Sequence, residues 1–406
     1  MMAVLSKQKT IKQTNRKAIL NILRNSKGMS VAAFSKKVNL SRTTLMKIMN
    51  YYVKRDLVYI SGKGESTEEG GKKPNIFKFN PNGGYAVGMM ILANRLLTTV
   101  TNLNGNIKEK ISVDIMSNEN FGVVLDKIIY SYEEILKRTN IDRRKLIGLA
   151  IGTYGITNSN EGIVLFSPHF PSWGENVPLK KKVMERIQDN IPVIVDNGIR
   201  FQVYAEKIAG VAKKEKNIVT ILAGKGLGAG VMLENEIKRG QHFLIGEVGH
   251  MIINPDSDEE CACGGKGCFE VMVSAGRLIK MAKVLYEEYP ESLIFNGRGY
   301  NSINIYDIFQ AAEKKDKLAL TIMDDVIKWF SIGLSNIILL YDPEIVVIQG
   351  IFSKAGNYFI KSLRDRVSKI SLPNIKKNTT ISYSELGDNV GVLGAASYVI
   401  SRFFTY

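Results

Sequence analysis

Apolar positions recur at helical spacing near the start of the chain. Ala18, Ile19, Ile22 and Leu23 share one face, with Arg16, Lys17 and Arg24 outside it. Lys27-Gly28 closes that segment, and Ser30 is placed to cap a short second helix carrying Val31, Phe34 and Val38 inward. Asn39-Leu40-Ser41 reads as a turn and a new cap. A third helix is predicted over 42–54, with Leu45, Ile48 and Met49 as its stripe and Ser41, Arg42, Thr43, Thr44 and Lys47 at its polar, basic start. Two short apolar runs follow, 57–60 and 76–79, separated by a polar, glycine-rich stretch ending in Lys72-Lys73-Pro74. Two helices, a turn, a recognition helix and a β-hairpin make a winged helix-turn-helix over residues 1–80, after a basic arm at 1–13.

Beyond Pro81-Asn82-Gly83-Gly84 the pattern changes. Buried-strand runs at 85–91, 96–102, 107–113 and 146–151 flank a helix predicted over 120–139. A second series begins at Asn217: a strand over 218–222, the glycine stretch 224–230, and a strand over 231–233. Helices are predicted near 275–289, 305–313 and 318–340, then a strand over 344–349 and a closing helix over 390–403. Alternation of strands and helices makes residues 81–406 an α/β body.

Charge separates the two parts. The net charge is +16. Residues 1–80 hold 17 Lys and Arg against four acids, so most of the excess sits on the head. A basic module on a nearly neutral body suits a protein that binds nucleic acid through one end. The ends of the wing lysines and the first turn of the third helix are the candidate DNA contacts. No apolar run is long enough to cross a membrane, and the N-terminal stretch lacks the apolar segment of a signal peptide.

All three cysteines, Cys261, Cys263 and Cys268, lie within eight residues, and one of three histidines, His250, lies eleven residues upstream. Three thiolates and an imidazole complete a tetrahedral Zn²⁺ shell and leave no position open for water, which marks a structural rather than a catalytic ion. Thiols clustered for metal rather than for disulfides point to a reducing cytoplasm.

Glu247-Val248-Gly249-His250, followed by Cys-x-Cys-Gly-x-x-Gly-Cys-x-Glu up to Glu270, resembles the signature of the ROK family of repressors and sugar kinases. The head with its Gly-Lys-Lys-Pro wing is similar to the DNA-binding domain of ROK repressors. The resemblance implies a two-lobed, duplicated, actin-like (ribonuclease H-like) body. Lobe one would be about 81–196 plus the closing helix 390–406, and lobe two about 197–389. It implies zinc on His250, Cys261, Cys263 and Cys268, and a sugar held by Asn197, Glu247, His250 and Glu270. Trp173 matches a tryptophan beside the cleft, where it either stacks on sugar or packs in the core.

The same resemblance argues against catalysis. Met90 stands where ROK kinases carry an aspartate for the metal and phosphates of ATP. Counting back from Glu206, their catalytic aspartate falls on Gly198 and a following asparagine on Arg200. Glycine cannot accept a hydroxyl proton. Asp196 would be a substitute base only if a strand residue one step away faced the same side. In the second phosphate loop Lys225 replaces a threonine, and the adenine-side glycines reduce to Gly350. The expectation is a regulator, a repressor of sugar-utilisation genes, whose partners are operator DNA, a monosaccharide or derivative, and a second copy in a homodimer or tetramer. An active sugar kinase, and a DNA-binding scaffold controlled by a protein partner, are the alternatives.

Overall fold

A computed structural model of the chain describes residues 14–64, 73–224, 226–297, 299–370 and 378–405. The basic arm 1–13, Lys72 in the wing and Lys225 in the glycine stretch lie outside the described residues.

The head begins with helix α1, residues 14–24. Strand β1 (Met29–Ser30), helix α2 (Val31–Ser35) and helix α3 (Arg42–Val53) follow. Ser30 caps α2 by accepting the Ala33 N–H at 3.1 Å. Ser41 caps α3 by accepting that of Thr44 at 3.1 Å. The wing strands β2 (Val58–Lys63) and β3 (Asn75–Phe79) pair antiparallel, and β1 pairs with the other edge of β3. The order of elements is that of a winged helix-turn-helix. Tyr51 is gripped between two guanidinium groups, Arg16 at 3.6 Å and Arg55 at 3.8 Å from its ring centre, which ties α1 to α3.

Lobe one is a sheet of order β10-β7-β4-β5-β6. Its strands are β4 (Tyr85–Ile91), β5 (Arg95–Asn102), β6 (Ile107–Asp114), β7 (Leu146–Thr153) and β10 (Val193–Asn197), with a small hairpin of β8 (Ile156–Asn158) and β9 (Ile163–Phe166). Residues of β4 alternate between two cores: Val87, Met89 and Ile91 pack with helix α4 (Phe121–Thr139) and helix α5 (Leu179–Arg186), while Ala86 and Met90 face the other way. Lobe two has a sheet of order β13-β12-β11-β14-β15. These strands are β11 (Ile218–Ala223), β12 (Leu227–Leu233), β13 (Glu236–Ile237), β14 (Ile345–Gly350) and β15 (Thr380–Tyr383). Its large core holds helices α7 (Phe269–Met272), α8 (Ala275–Val284), α9 (Ile305–Glu313), α10 (Lys317–Tyr341) and α11 (Gly356–Lys369).

Helix α6 (Gly198–Ile208) lies between the lobes, packed on β12 and on the closing helix α12 (Val390–Thr405). Helix α12 covers the second face of lobe one and continues into the head: Val399, Ile400 and Phe404 share one apolar cluster with Leu20, Leu23 and Phe79. Among the described residues no helix is long and apolar enough to cross a membrane.

Two expectations change. The glycine stretch 224–230 is not one loop, because Leu227–Leu233 is strand β12 and only the first part turns. Gly230 is there because a Cβ would sit 2.5 Å from the Ile199 carbonyl, so its smallness serves helix–sheet packing. The helix expected to run to residue 289 ends at Val284 and continues as turns.

Candidate sugar and metal site at the lobe junction

The turn from β12 into the cysteine loop is built by close backbone approaches. Gly246 has φ +104, its carbonyl accepts the Ala229 N–H at 2.7 Å, and a Cβ on it would lie 2.1 Å from the Ala229 oxygen. A Cβ on Gly249 would lie 2.2 Å from the Leu227 oxygen. The segment carrying Glu247 and His250 is thereby pressed onto the start of β12.

Four side chains converge beside it. The ligand atoms of His250, Cys261, Cys263 and Cys268 all lie within 4.8 Å of one another. The Sγ atoms of Cys263 and Cys268 are 3.7 Å apart, and His250 Nδ1 lies 3.7 Å from Cys261 Sγ. Two sulfurs on a tetrahedral zinc are about 3.8 Å apart, given Zn–S bonds of about 2.3 Å. The spacing suits ligands around one ion and is far too long for a disulfide, whose sulfurs are about 2.05 Å apart. Without a cation, burial pushes the Cys268 thiol up to about 12 and raises Cys261, whereas the Gly265 backbone hydrogen bond lowers Cys263. Bridge pairing of Ile252 with Cys268 and of Glu260 with Lys266 holds the loop. This cluster can hold a metal ion, and with Nδ1 turned to it, Nε2 of His250 is left for another partner.

The carboxylates flank this ring. Glu270, in α7, accepts the Leu227 N–H through Oε2 at 2.7 Å. Glu247 is held above the ordinary carboxylate range, first by burial, with Glu270 adding to the rise and His250 and Arg200 opposing it. Across the junction Asn197 caps α6, accepting the Ile199 N–H at 3.0 Å and donating from Nδ2 to the Gly155 carbonyl at 2.9 Å.

Asp196 is fully buried. Its Oδ1 accepts from Arg200 Nη1 at 2.7 Å, and its Oδ2 accepts from Arg239 Nε at 2.9 Å. Arg200 also donates to the Phe243 carbonyl at 2.6 Å. Gly198 is filled from outside: a Cβ there would lie 2.4 Å from Met90 Cε, and one on Gly152 would lie 2.2 Å from Met90 Sδ. Trp173 resolves to the core reading. It is 8% exposed and stacks on Phe170 at 4.7 Å with Phe121 edge-on at 5.6 Å.

His169, read from the sequence as a structural or surface residue, meets the ring of Tyr154 edge-on at 4.7 Å, beside Gly155. Sequence reasoning missed Arg239, which carries no motif and reaches Asp196 only through the fold. On the head, Ser41, Arg42, Thr43, Thr44 and Lys47 are all exposed on one end of α3, and Lys73 lies in the wing. The Ser41 and Thr44 hydroxyls are 2.9 Å apart and engaged with each other in the cap.

Known proteins give this arrangement a context. Residues 88–402 match the ROK family. The chain is 30% identical over 396 residues, 98% of each chain, to a putative xylose repressor of Caldicellulosiruptor sp. strain Rt8B.4. It is 30% identical over 300 residues, 74% of this chain and 92% of the relative, to a glucokinase of Thermotoga maritima. Among solved structures, a ROK family transcriptional regulator homologous to Escherichia coli MLC superposes with a TM-score of 0.83 over 97% of each chain, at 24% identity, which shows a shared fold. A Streptomyces griseus ROK glucokinase solved with glucose and AMPPNP matches 78% of this chain and 99% of its own, with a TM-score of 0.66 and 25% identity. The xylose repressor thus matches 98% of the chain and the glucokinases 74–78% of it, and the chain belongs to the ROK family.

Proposed function

We propose that the protein is a sugar-responsive transcriptional repressor that binds an aldopentose such as xylose at the lobe junction without phosphorylating it. The observation that carries this reading is the pairing of Gly198 with Met90. The place of the kinase base has no side chain, and a buried thioether fills the space beside it. Asp196 does not substitute, because both its oxygens are held by guanidinium groups in a buried site. The acceptors that grip hydroxyls remain: Glu247 and Glu270 on lobe two, Asn197 on lobe one, and the outer nitrogen of His250. Relatives named xylose repressors match over 98% of the chain, which supports xylose as the first effector to test.

His250, Cys261, Cys263 and Cys268 would hold a structural Zn²⁺, which supplies rigidity to the loop bearing Glu247 and Glu270 and no open coordination site. Residues 1–80 act as the operator-binding head, with Arg42, Thr43 and Lys47 toward the major groove and Lys72 and Lys73 toward phosphates. A homodimer reads two half-sites, and a cytoplasmic location suits the reduced thiols.

Isothermal titration with D-xylose, D-glucose and their phosphates, with zinc measured on the same sample, tests this. Saturable heat for xylose and no ADP release when ATP is added are expected. Turnover with ATP would overturn the reading in favour of a kinase. Silence for every sugar would favour a scaffold governed by a protein partner.

A further inference from the structure

The buried carboxylate of Asp196 joins groups from both lobes. Arg200 comes from the first turn of α6. Arg239 comes from lobe two, just beyond β13, donates from Nε to Asp196 Oδ2 at 2.9 Å, and brings Nη2 into ion-pair contact with the same oxygen at 2.7 Å. The same Nη2 donates to Tyr398 Oη at 3.2 Å. Tyr398 lies on α12, its ring 5.6 Å from Phe201 and edge-on to Tyr204 at 5.4 Å. Further along α12, the Phe404 ring meets Phe79 of the wing at 6.0 Å, and Arg24 of α1 lies over it at 4.7 Å.

We propose that Arg239 and Tyr398 form the relay that reports occupancy of the lobe junction to the DNA-binding head. The proposal rests on the sugar-responsive reading and deepens it. The candidate sugar contacts sit at the two ends of the clamp. Asn197 donates its backbone N–H to Asp196 Oδ1 at 2.8 Å. Arg200 holds the Phe243 carbonyl, in the segment that leads into Gly246 and Glu247. A sugar gripped by Asn197 on one lobe and Glu247 on the other changes the separation of those ends. Separating a buried ion pair leaves uncompensated charge, so the clamp moves as a unit rather than loosening one bond at a time. Tyr398 hands that movement to α12. From Tyr398 to Phe404 the helix rises about 9 Å, and its far end is already part of the head's apolar cluster. A second, exposed contact between head and lobe one is the ion pair of Lys145 Nζ with Asp56 Oδ2 at 2.6 Å.

Hydrogen exchange of the full-length protein with and without saturating D-xylose, and in parallel D-glucose, tests the relay. In the wild type, protection is expected to change both at residues 193–200 and 239–250 and at 14–24 and 75–79 of the head. Tyr398→Phe keeps the ring and removes the hydroxyl. It should retain the change at the junction and cut the head response by roughly fivefold or more, the scale of ordinary allosteric coupling. Phe404→Leu should do the same from the other end, and it serves if the first variant is poorly folded. An undiminished head response in both variants overturns the relay and leaves the sugar reading intact, as does a wild type that responds only at the junction. No response to either sugar at the junction overturns the sugar reading and the relay with it.

Discussion

A Cβ on Gly198, on Gly152 or on Gly391 would each meet the Met90 side chain, at 2.4, 2.2 and 2.8 Å. Met90 is 3% exposed, so its thioether would have to repack within the core. Gly198 and Met90 are therefore one steric unit, so an aspartate placed at 198 would have to displace the methionine. Gly198→Asp is expected to lower stability by about 1–3 kcal/mol through overpacking and to yield no phosphorylated sugar in a coupled assay. Adding Met90→Ala should recover part of the loss in a thermal melt, a non-additivity that independent sites would not show. Little of this was legible in the sequence. The substitutions at 90 and 198 are visible one by one, but their contact depends on β4 and α6 meeting, and residues 108 apart give no local signal.

Elements differ in how plainly the chain announces them. The cysteine loop was readable because its ligands are nearly contiguous and its turns carry glycine. Helix α6 was not: eight of its eleven residues are buried, and because Arg200, Gln202 and Glu206 are among them, its polar positions do not mark a solvent face. The glycine stretch misled for a similar reason, since glycines that admit a helix look like glycines that cradle phosphate. The metal loop makes a sharp prediction. Cys263→Ser, or prolonged chelation, should release one zinc per chain and lower the melting temperature, because ligand binding to the folded state alone is folding free energy. Retained zinc with unchanged melting would dismiss the assignment. Another junction responds to pH. Glu344 accepts the N–H groups of Lys216 and Asn217 at 2.6 and 2.8 Å, tying the start of β11 to β14. Those backbone hydrogen bonds, Asn217 first, hold its carboxyl below the usual range. A depressed folded value stabilises above the unfolded pKa of about 4.3 and loses that stabilisation as pH falls through the folded value. Glu344→Gln should therefore melt lower than wild type at pH 7, and the gap should close in acid.

At the scale of the whole molecule, charge and position make the head a DNA reader and the body its governor. Arg42 and Lys47 project from the same exposed end of α3. If Lys73 meets a phosphate as proposed, its replacement by alanine should weaken binding to all duplexes alike and flatten the salt dependence by about one unit of slope. If Arg42 reads a base as proposed, its replacement should instead relax preference at one position of a selected site, at a cost of about 1–3 kcal/mol there. Fluorescence anisotropy at several salt concentrations separates the two.

Because Phe404 is built into the same cluster as Leu20, Leu23 and Phe79, the head is not a detachable cassette. Cutting at the boundary near residue 80, to graft this reader onto another sensor or to express it alone, would strip away a wall of its interior and leave Arg24 without its aromatic partner. A working chimera must inherit the last turns of α12 together with residues 1–80.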